Sequence, residues 1–250
     1  MNLCTTRYLA SNNKNHLLCN VLKGGSTSWQ RFLDQNKIPT SLLANCVSRD
    51  GRYICPRRFD TRIAQVRHPM ERLLGTWRHV FKNGGWKLLE LEAMARPELY
   101  THYEELYGNI TWYQFIEEVV LGDKFSRTEA QLDQLNGPGV WVKLHWAPYW
   151  FTCGLCGDIT PDYILKTESL QGEVDYLVKL LNIPHNSLFP HSRISGPDDH
   201  SFDSEGYSHT VVDQYYSQLD KQQVIKLYNM YKLDFDMFGY EPHKYIDLAI

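Results

Sequence analysis

The chain has 250 residues, 43% hydrophobic and 22% charged, with a formal net charge of −3. That is enough chain for one α/β domain with a full core, and too apolar for a disordered one. The mildly acidic balance excludes a globally basic nucleic-acid binder, so no nucleic-acid partner is expected.

The six cysteines, Cys4, Cys19, Cys46, Cys55, Cys153 and Cys156, are compatible with either redox compartment. No signal peptide or transmembrane run is read, so no membrane anchor is expected within the chain. Residues 1–14 are polar and read as a loose N-terminal segment of a single domain spanning 1–250. One glycosylation sequon, Asn109-Ile110-Thr111, is of a kind common by chance.

The apolar run 17–22 (LLCNVL) predicts a buried first strand over 15–23. Lys23-Gly24-Gly25-Ser26-Thr27-Ser28 follows, and then Trp29, Phe32 and Leu33 at helical spacing. A first helix is therefore predicted over 27–36, ended by Ile38-Pro39. Strand, glycine turn, hydroxyl cluster and helix start form the layout of a phosphate cradle. Glycines let the backbone approach an anion, first-turn amides point at it, and Lys23 adds a full charge. An ordinary strand–turn–helix with Ser or Thr as N-cap fits the same residues. A nucleotide-hydrolase P-loop reads GxxxxGK[ST], with its lysine after the glycines, whereas Lys23 precedes them.

Residues 61–66 (TRIAQV) predict a second short buried strand, and Pro69 sits where a helix starts, its missing amide harmless there. Leu73, Leu74, Trp77, Val80 and Phe81 give that helix an apolar stripe. Arg67 ends the strand, where a guanidinium can fork onto a phosphate; pairing with Glu71 one turn on is the alternative. Arg49, Arg52, Arg57, Arg58, Arg62, Arg67, Arg72, Arg78 and Lys82 fall in one segment, against Asp50, Asp60 and Glu71. A local basic surface of this kind suits a polyanionic ligand.

Asn83-Gly84-Gly85 breaks the helix, and Thr111 starts another with Phe115, Ile116, Val119 and Val120 inward. Residues 141–156 are aromatic and turn-rich. A strand is predicted over 163–167, a helix over 174–181, a surface loop over 190–207, and helices over 211–219 and 221–232. Residues 234–240 (DFDMFGY) pack two phenylalanines at the end. Strands alternating with helices give an α/β fold with a central parallel sheet flanked by helices. Its site belongs at the carboxyl ends of the strands.

Four blocks in order carry a resemblance: CNVLKGGSTSW, VRHPMERLLGTWR, HWAPYWFTCGLCGDITPDYILKTESL and YYSQLDKQQVIKLYNMYKLDFDMFGY. From about residue 17 to 240 the chain resembles the carbohydrate sulfotransferases of the chondroitin/dermatan 4-O type. That family also includes the glucuronyl 3-O enzyme of the natural-killer carbohydrate epitope. The resemblance implies a P-loop-like sulfotransferase fold and sulfonate transfer from 3′-phosphoadenosine 5′-phosphosulfate (PAPS) to a sugar hydroxyl, with no metal. It places Lys23, Gly24, Gly25, Ser26, Thr27, Ser28 and Trp29 at the 5′-phosphosulfate, with Lys23 also catalytic, and Arg67 at the 3′-phosphate. It implies an acidic polysaccharide acceptor, for which the 49–62 arginines are a plausible track. It also implies a Golgi membrane setting on the lumenal side, although related enzymes carry an anchor that this sequence lacks.

Two departures qualify the resemblance. Eight residues after Arg67, where the family has a phosphate-binding serine, stands Gly75 followed by Thr76. Either Thr76 substitutes, or cosubstrate binding is weaker. Before His145-Trp146, where an acidic residue is usual, stands Leu144. His145 is the candidate base for the acceptor hydroxyl, and a brace for the aromatic segment is the equal alternative. Lys166-Thr167-Glu168 resembles a family block whose role is site support or acceptor contact. The loop 191–200, with Arg193, is a candidate cover for the nucleotide.

Cys153-Gly154-Leu155-Cys156 lacks the further ligands of a zinc site and the context of a redox motif. The resemblance favours structural disulfides for it, partners unassigned, and Cys19 reads as a buried free thiol. The rival reading is a non-catalytic glycan- or nucleotide-binding protein on a degenerate sulfotransferase fold. A nucleotide kinase would need a Walker lysine and a magnesium-binding acid after a strand, and neither is present.

Overall fold

The computed structural model describes residues 6–11, 14–38, 40–42, 47–49, 52–54, 59–82, 110–122, 145–153, 160–180, 182, 202–203, 206–207 and 209–250. In chain order these form β1 (Thr6–Ser11), β2 (Lys14–Asn20), α1 (Ser26–Gln35), β3 (Thr40–Leu42), β4 (Val47–Arg49), β5 (Arg52–Ile54) and β6 (Thr61–Val66). Helix α2 (Pro69–Thr76) follows and widens into a π turn over Trp77–Lys82. Next come α3 (Trp112–Gln114), leading into a π helix over Phe115–Leu121, then α4 (Tyr149–Thr152) and β7 (Tyr163–Lys166). The chain ends with α5 (Leu170–Leu180), β8 (Phe202–Asp203), β9 (Gly206–Tyr207), α6 (His209–Tyr216), α7 (Lys221–Phe238) and α8 (His243–Leu248).

Within the chain, contacts gather into two compact units, Met1–His68 with Ala147–Ser195 and Pro69–Trp146 with Gly196–Ile250. The first holds a five-stranded sheet in the order β3-β1-β2-β6-β7. Strands β2, β6 and β7 run parallel, and β1 pairs antiparallel with both β2 and β3. The α/β fold with a parallel core is therefore present, extended by antiparallel strands. Along β6, Ile63, Ala64, Gln65 and Val66 are all buried, as expected of a parallel strand covered on both faces. One core cluster joins Leu18 and Ile63 of the sheet to Trp29, Phe32 and Leu33 of α1. Leu170, Val174, Leu177 and Val178 of α5 belong to the same cluster.

Register sets where the site lies. Asn20 is paired with Gln65 and Val66 with Lys166, so the residues after β2, β6 and β7 emerge at one edge of the sheet.

Two expectations are corrected in this unit. Residues 6–11 are no loose segment: β1 pairs with β2 in unbroken register from Thr6↔Cys19 to Ser11↔Lys14. Its backbone is satisfied by the sheet, although TRYLAS contains no apolar run. Cys19 is no free thiol. It forms a disulfide with Cys153, a residue 134 positions away, with 5.8 Å between the two Cα atoms.

The second unit has an aromatic core that includes Trp77, Trp112, Phe115, Trp146, Tyr216 and Tyr231. Helix α7 starts at a capping box, where Asp220 accepts from the Gln223 amide and Gln223 from the Asp220 amide. It runs past the predicted end at 232 and stops at Gly239, whose φ of 61° takes the left-handed turn. Phe235 and Phe238 are thus buried residues of its last turns rather than a separate packing segment.

Candidate functional site

The Gly24 amide donates to the Val21 carbonyl at 3.0 Å, closing a tight turn at the end of β2. Lys23 lies inside that turn at φ 65°, a left-handed conformation that costs a residue with a side chain roughly 1–2 kcal/mol. Gly25 follows at φ 101° and serves as the N-cap of α1, whose amides at Ser28 and Trp29 fold back to the Gly25 carbonyl. No side chain caps this helix, so the Ser/Thr N-cap alternative is not what forms here. The backbone amides and dipole of α1 begin at the turn that carries Lys23, as in an anion cradle.

Two neighbours press on the glycines. A Cβ on Gly24 would lie 3.0 Å from the Tyr149 hydroxyl, and one on Gly25 would lie 1.9 Å from Gln65 Nε2. Gln65 is fully buried in β6. Its Nε2 donates to Thr167 Oγ1 at 3.4 Å, and Thr167 in turn reaches the carbonyls of Val66 (3.0 Å) and Gly24 (3.2 Å). Thr167 therefore joins the ends of β6 and β7 to the glycine turn. Glu168 accepts from the His68 amide at 2.7 Å.

Arg67 leaves the end of β6 with its backbone amide donating to the Tyr149 hydroxyl at 2.9 Å. Its guanidinium acts on Lys23: burial first, and then the charge of Arg67, push the Lys23 ammonium down to about 7. An anion between two cations held within each other's field would lower the energy of both.

The remaining expected residues lie in the second unit. Thr76 is fully buried, and its hydroxyl lies 2.9 Å from the carbonyls of both Arg72 and His145. The hydroxyl is thus engaged by backbone carbonyls in this arrangement. The bond to the carbonyl four residues back sits where the helix widens into its π turn. His145 is half-buried in a turn ahead of Trp146, whose carbonyl accepts from the Tyr231 hydroxyl. Leu144, Cys156, the Arg57–Arg58 pair and the loop 191–200 lie outside the described residues. Among the described residues no group of three or more metal-ligating side chains gathers.

Gln65 and Tyr149 were not singled out from the sequence. One signal was present: Gln65 is the sole amide in the strand TRIAQV. Tyr149 was masked by the many aromatics around it.

A parallel sheet with a glycine turn and an uncapped helix start at its carboxyl edge, Lys23 in the turn and Arg67 after the neighbouring strand, defines an α/β protein. The chain belongs to the sulfotransferase family, whose model matches residues 6–241. It is similar to carbohydrate sulfotransferase 9 of Homo sapiens, 26% identical over 248 residues, covering 90% of this chain and 51% of that protein. Carbohydrate sulfotransferase 8 of Mus musculus is 24% identical over 246 residues, covering 90% and 54%. Carbohydrate sulfotransferase 10 of Danio rerio is 26% identical over 248 residues, covering 90% and 63%. The chain thus spans between half and two thirds of the length of these relatives. No solved structure matches it. Among the described residues no helix is long and apolar enough to cross a membrane.

Proposed function

We propose that this chain is a PAPS-dependent carbohydrate O-sulfotransferase. The acceptor is a sugar hydroxyl of a glycosaminoglycan or related acidic glycan, of the chondroitin/dermatan type. The observation that carries the reading is the pairing of Lys23, in a left-handed turn ahead of Gly24-Gly25, with Arg67 at the end of the neighbouring parallel strand. Relatives named as carbohydrate sulfotransferases support the acceptor class. The Cys19–Cys153 disulfide suits an oxidising lumen, in keeping with the Golgi setting that the resemblance implies.

The donor set fits a phosphosulfate at one end and a second phosphate at the other. Lys23 and the amides at the start of α1 hold the 5′ group, with Ser26, Thr27, Ser28 and Trp29 forming the first turn beside it, and Arg67 holds the 3′-phosphate. PAPS supplies an activated sulfonate whose bridging oxygen gathers negative charge as the bond breaks. Lys23 Nζ, protonated beside that oxygen, stabilises the charge more in the transition state than in the ground state. His145 is the proposed base that takes the acceptor hydroxyl proton. Because Thr76 is enclosed, the 3′-phosphate lacks that hydroxyl, and the loss of one charged hydrogen bond weakens affinity roughly tenfold to hundredfold.

The test is calorimetric binding of the product nucleotide, adenosine 3′,5′-bisphosphate, with Lys23→Ala and Arg67→Ala as controls. Micromolar binding weakened by both changes supports the reading, and sulfate transfer to desulfated chondroitin then completes it. Absence of binding to the folded wild-type chain overturns it in favour of a non-catalytic glycan-binding protein on the same fold.

A further inference from the structure

We infer that Tyr149 is a positioning residue that couples the glycine turn after β2 to Arg67 at the end of β6, so that the two halves of the cradle move as one. The inference deepens the proposed function and rests on it only for the identity of the ligand.

The phenol is wholly buried, so its hydroxyl is confined to the contacts around it. That oxygen accepts the Arg67 backbone amide at 2.9 Å. It also lies 3.0 Å from where a Cβ on Gly24 would stand, closer than almost any ordinary carbon contact. One atom therefore bonds the Arg67 amide and stands close against Gly24, one in each of the two segments proposed to bind the anion. It sets the backbone from which the Arg67 side chain springs and forms one wall of the turn that presents Lys23.

Tyr149 is itself anchored. It opens α4, and the amide of Cys153 closes that helix onto the Tyr149 carbonyl at 2.8 Å. The disulfide from Cys153 then fastens the helix to Cys19, in the strand that leads into Lys23. The brace and the loop it steadies are covalently tied to the same strand. A side chain at position 24 would crowd the Tyr149 hydroxyl at 3.0 Å and the Val21 carbonyl at 3.2 Å, whereas the positive φ values in the loop belong to Lys23 and Gly25.

Residue-resolved hydrogen exchange on the whole chain tests the coupling. In Tyr149→Phe the Arg67 amide, losing its acceptor, should exchange roughly tenfold faster. The amides of residues 24–28 should accelerate with it, while amides in α5 stay unchanged. If Arg67 alone speeds up, the phenol is a local hydrogen-bond partner and the inference is overturned. Should Tyr149→Phe fail to fold, Gly24→Ala serves instead. Its new methyl presses on the hydroxyl, so the Arg67 amide should again exchange faster, and a wild-type rate there overturns the inference.

Binding distinguishes this outcome from failure of the proposed function. Tyr149→Phe should weaken adenosine 3′,5′-bisphosphate roughly tenfold, and should weaken 5′-AMP as well, although 5′-AMP has no 3′-phosphate for Arg67 to hold. Unchanged 5′-AMP affinity refutes coupling. A wild-type chain that binds neither nucleotide refutes the sulfotransferase reading, and the exchange result still decides the role of Tyr149.

Discussion

Gly25→Ala is the sharpest perturbation of the cradle. The new Cβ would stand 1.9 Å from Gln65 Nε2, 2.8 Å from Cδ and 3.1 Å from Oε1. To restore ordinary contact near 3.5 Å, the carboxamide has to withdraw by roughly 1.5 Å. Gln65 is fully buried and bonded to Thr167, so withdrawal breaks its bond to the hydroxyl that reaches the Gly24 carbonyl. Overpacking of this kind costs about 1–3 kcal/mol. A side chain held at φ 101° adds roughly 1–2 kcal/mol. The total is a loss of about 2–5 kcal/mol in urea unfolding, with bisphosphate binding weakened at least tenfold because the α1 amides shift. The mechanism is isolated by combining the change with Gln65→Ala, which removes the colliding atoms and leaves only the backbone strain. The double mutant should then recover about 1–3 kcal/mol relative to the sum of the singles. Additivity within about 0.5 kcal/mol would show that Gln65 is not what the methyl meets, and the account of the loop given above would be wrong.

Four further outcomes are expected. Lys23→Gly should leave the chain as stable as wild type or more so, by about 1 kcal/mol, since glycine accepts φ 65° and no ammonium is left to desolvate, yet it should abolish bisphosphate binding; a lowered denaturation midpoint refutes the strain argument. Lys23 titrates near 7 in the free protein and is held protonated by a bound anion, so the complex carries the extra proton. The Lys23 contribution to affinity should therefore be full below pH 7 and fall towards tenfold per pH unit above it, and a flat calorimetric profile from pH 7 to 9 refutes this. Thr76→Val should cost about 1–2 kcal/mol of stability while changing the bisphosphate Kd less than about twofold; a large loss of affinity would return Thr76 to the phosphate site. Cys153→Ser should lower stability by about 2–5 kcal/mol and weaken nucleotide binding, measured by denaturation and calorimetry without reductant.

What was legible in the sequence follows from what local rules can see. The run TRIAQV is apolar enough to give β6 its observed bounds, and the 3.6-residue spacing of Trp29, Phe32 and Leu33 gives α1 within a residue. Strand β1 was not legible, because its order comes from pairing with β2 rather than from an apolar face. The Cys19–Cys153 bond was not legible either, since spacing along the chain says nothing about which thiols face each other across 134 residues. The surroundings of Thr76 were not legible for a related reason: the carbonyls its hydroxyl meets come from Arg72 and from His145, 69 residues beyond Thr76.

Lys23 is the opposite case. It breaks several local rules at once, with a lysine in a left-handed turn, largely removed from water, beside a like-charged arginine. Backbone strain, burial of a cation and repulsion between cations each raise the energy of the empty site, and no one of them helps the fold. A ligand carrying negative charge relieves the last two together, and the fixed backbone spares the loop from reorganising when it arrives. Such a concentration of unfavourable choices at one residue is accounted for by the proposed anion site and not by an ordinary glycine turn.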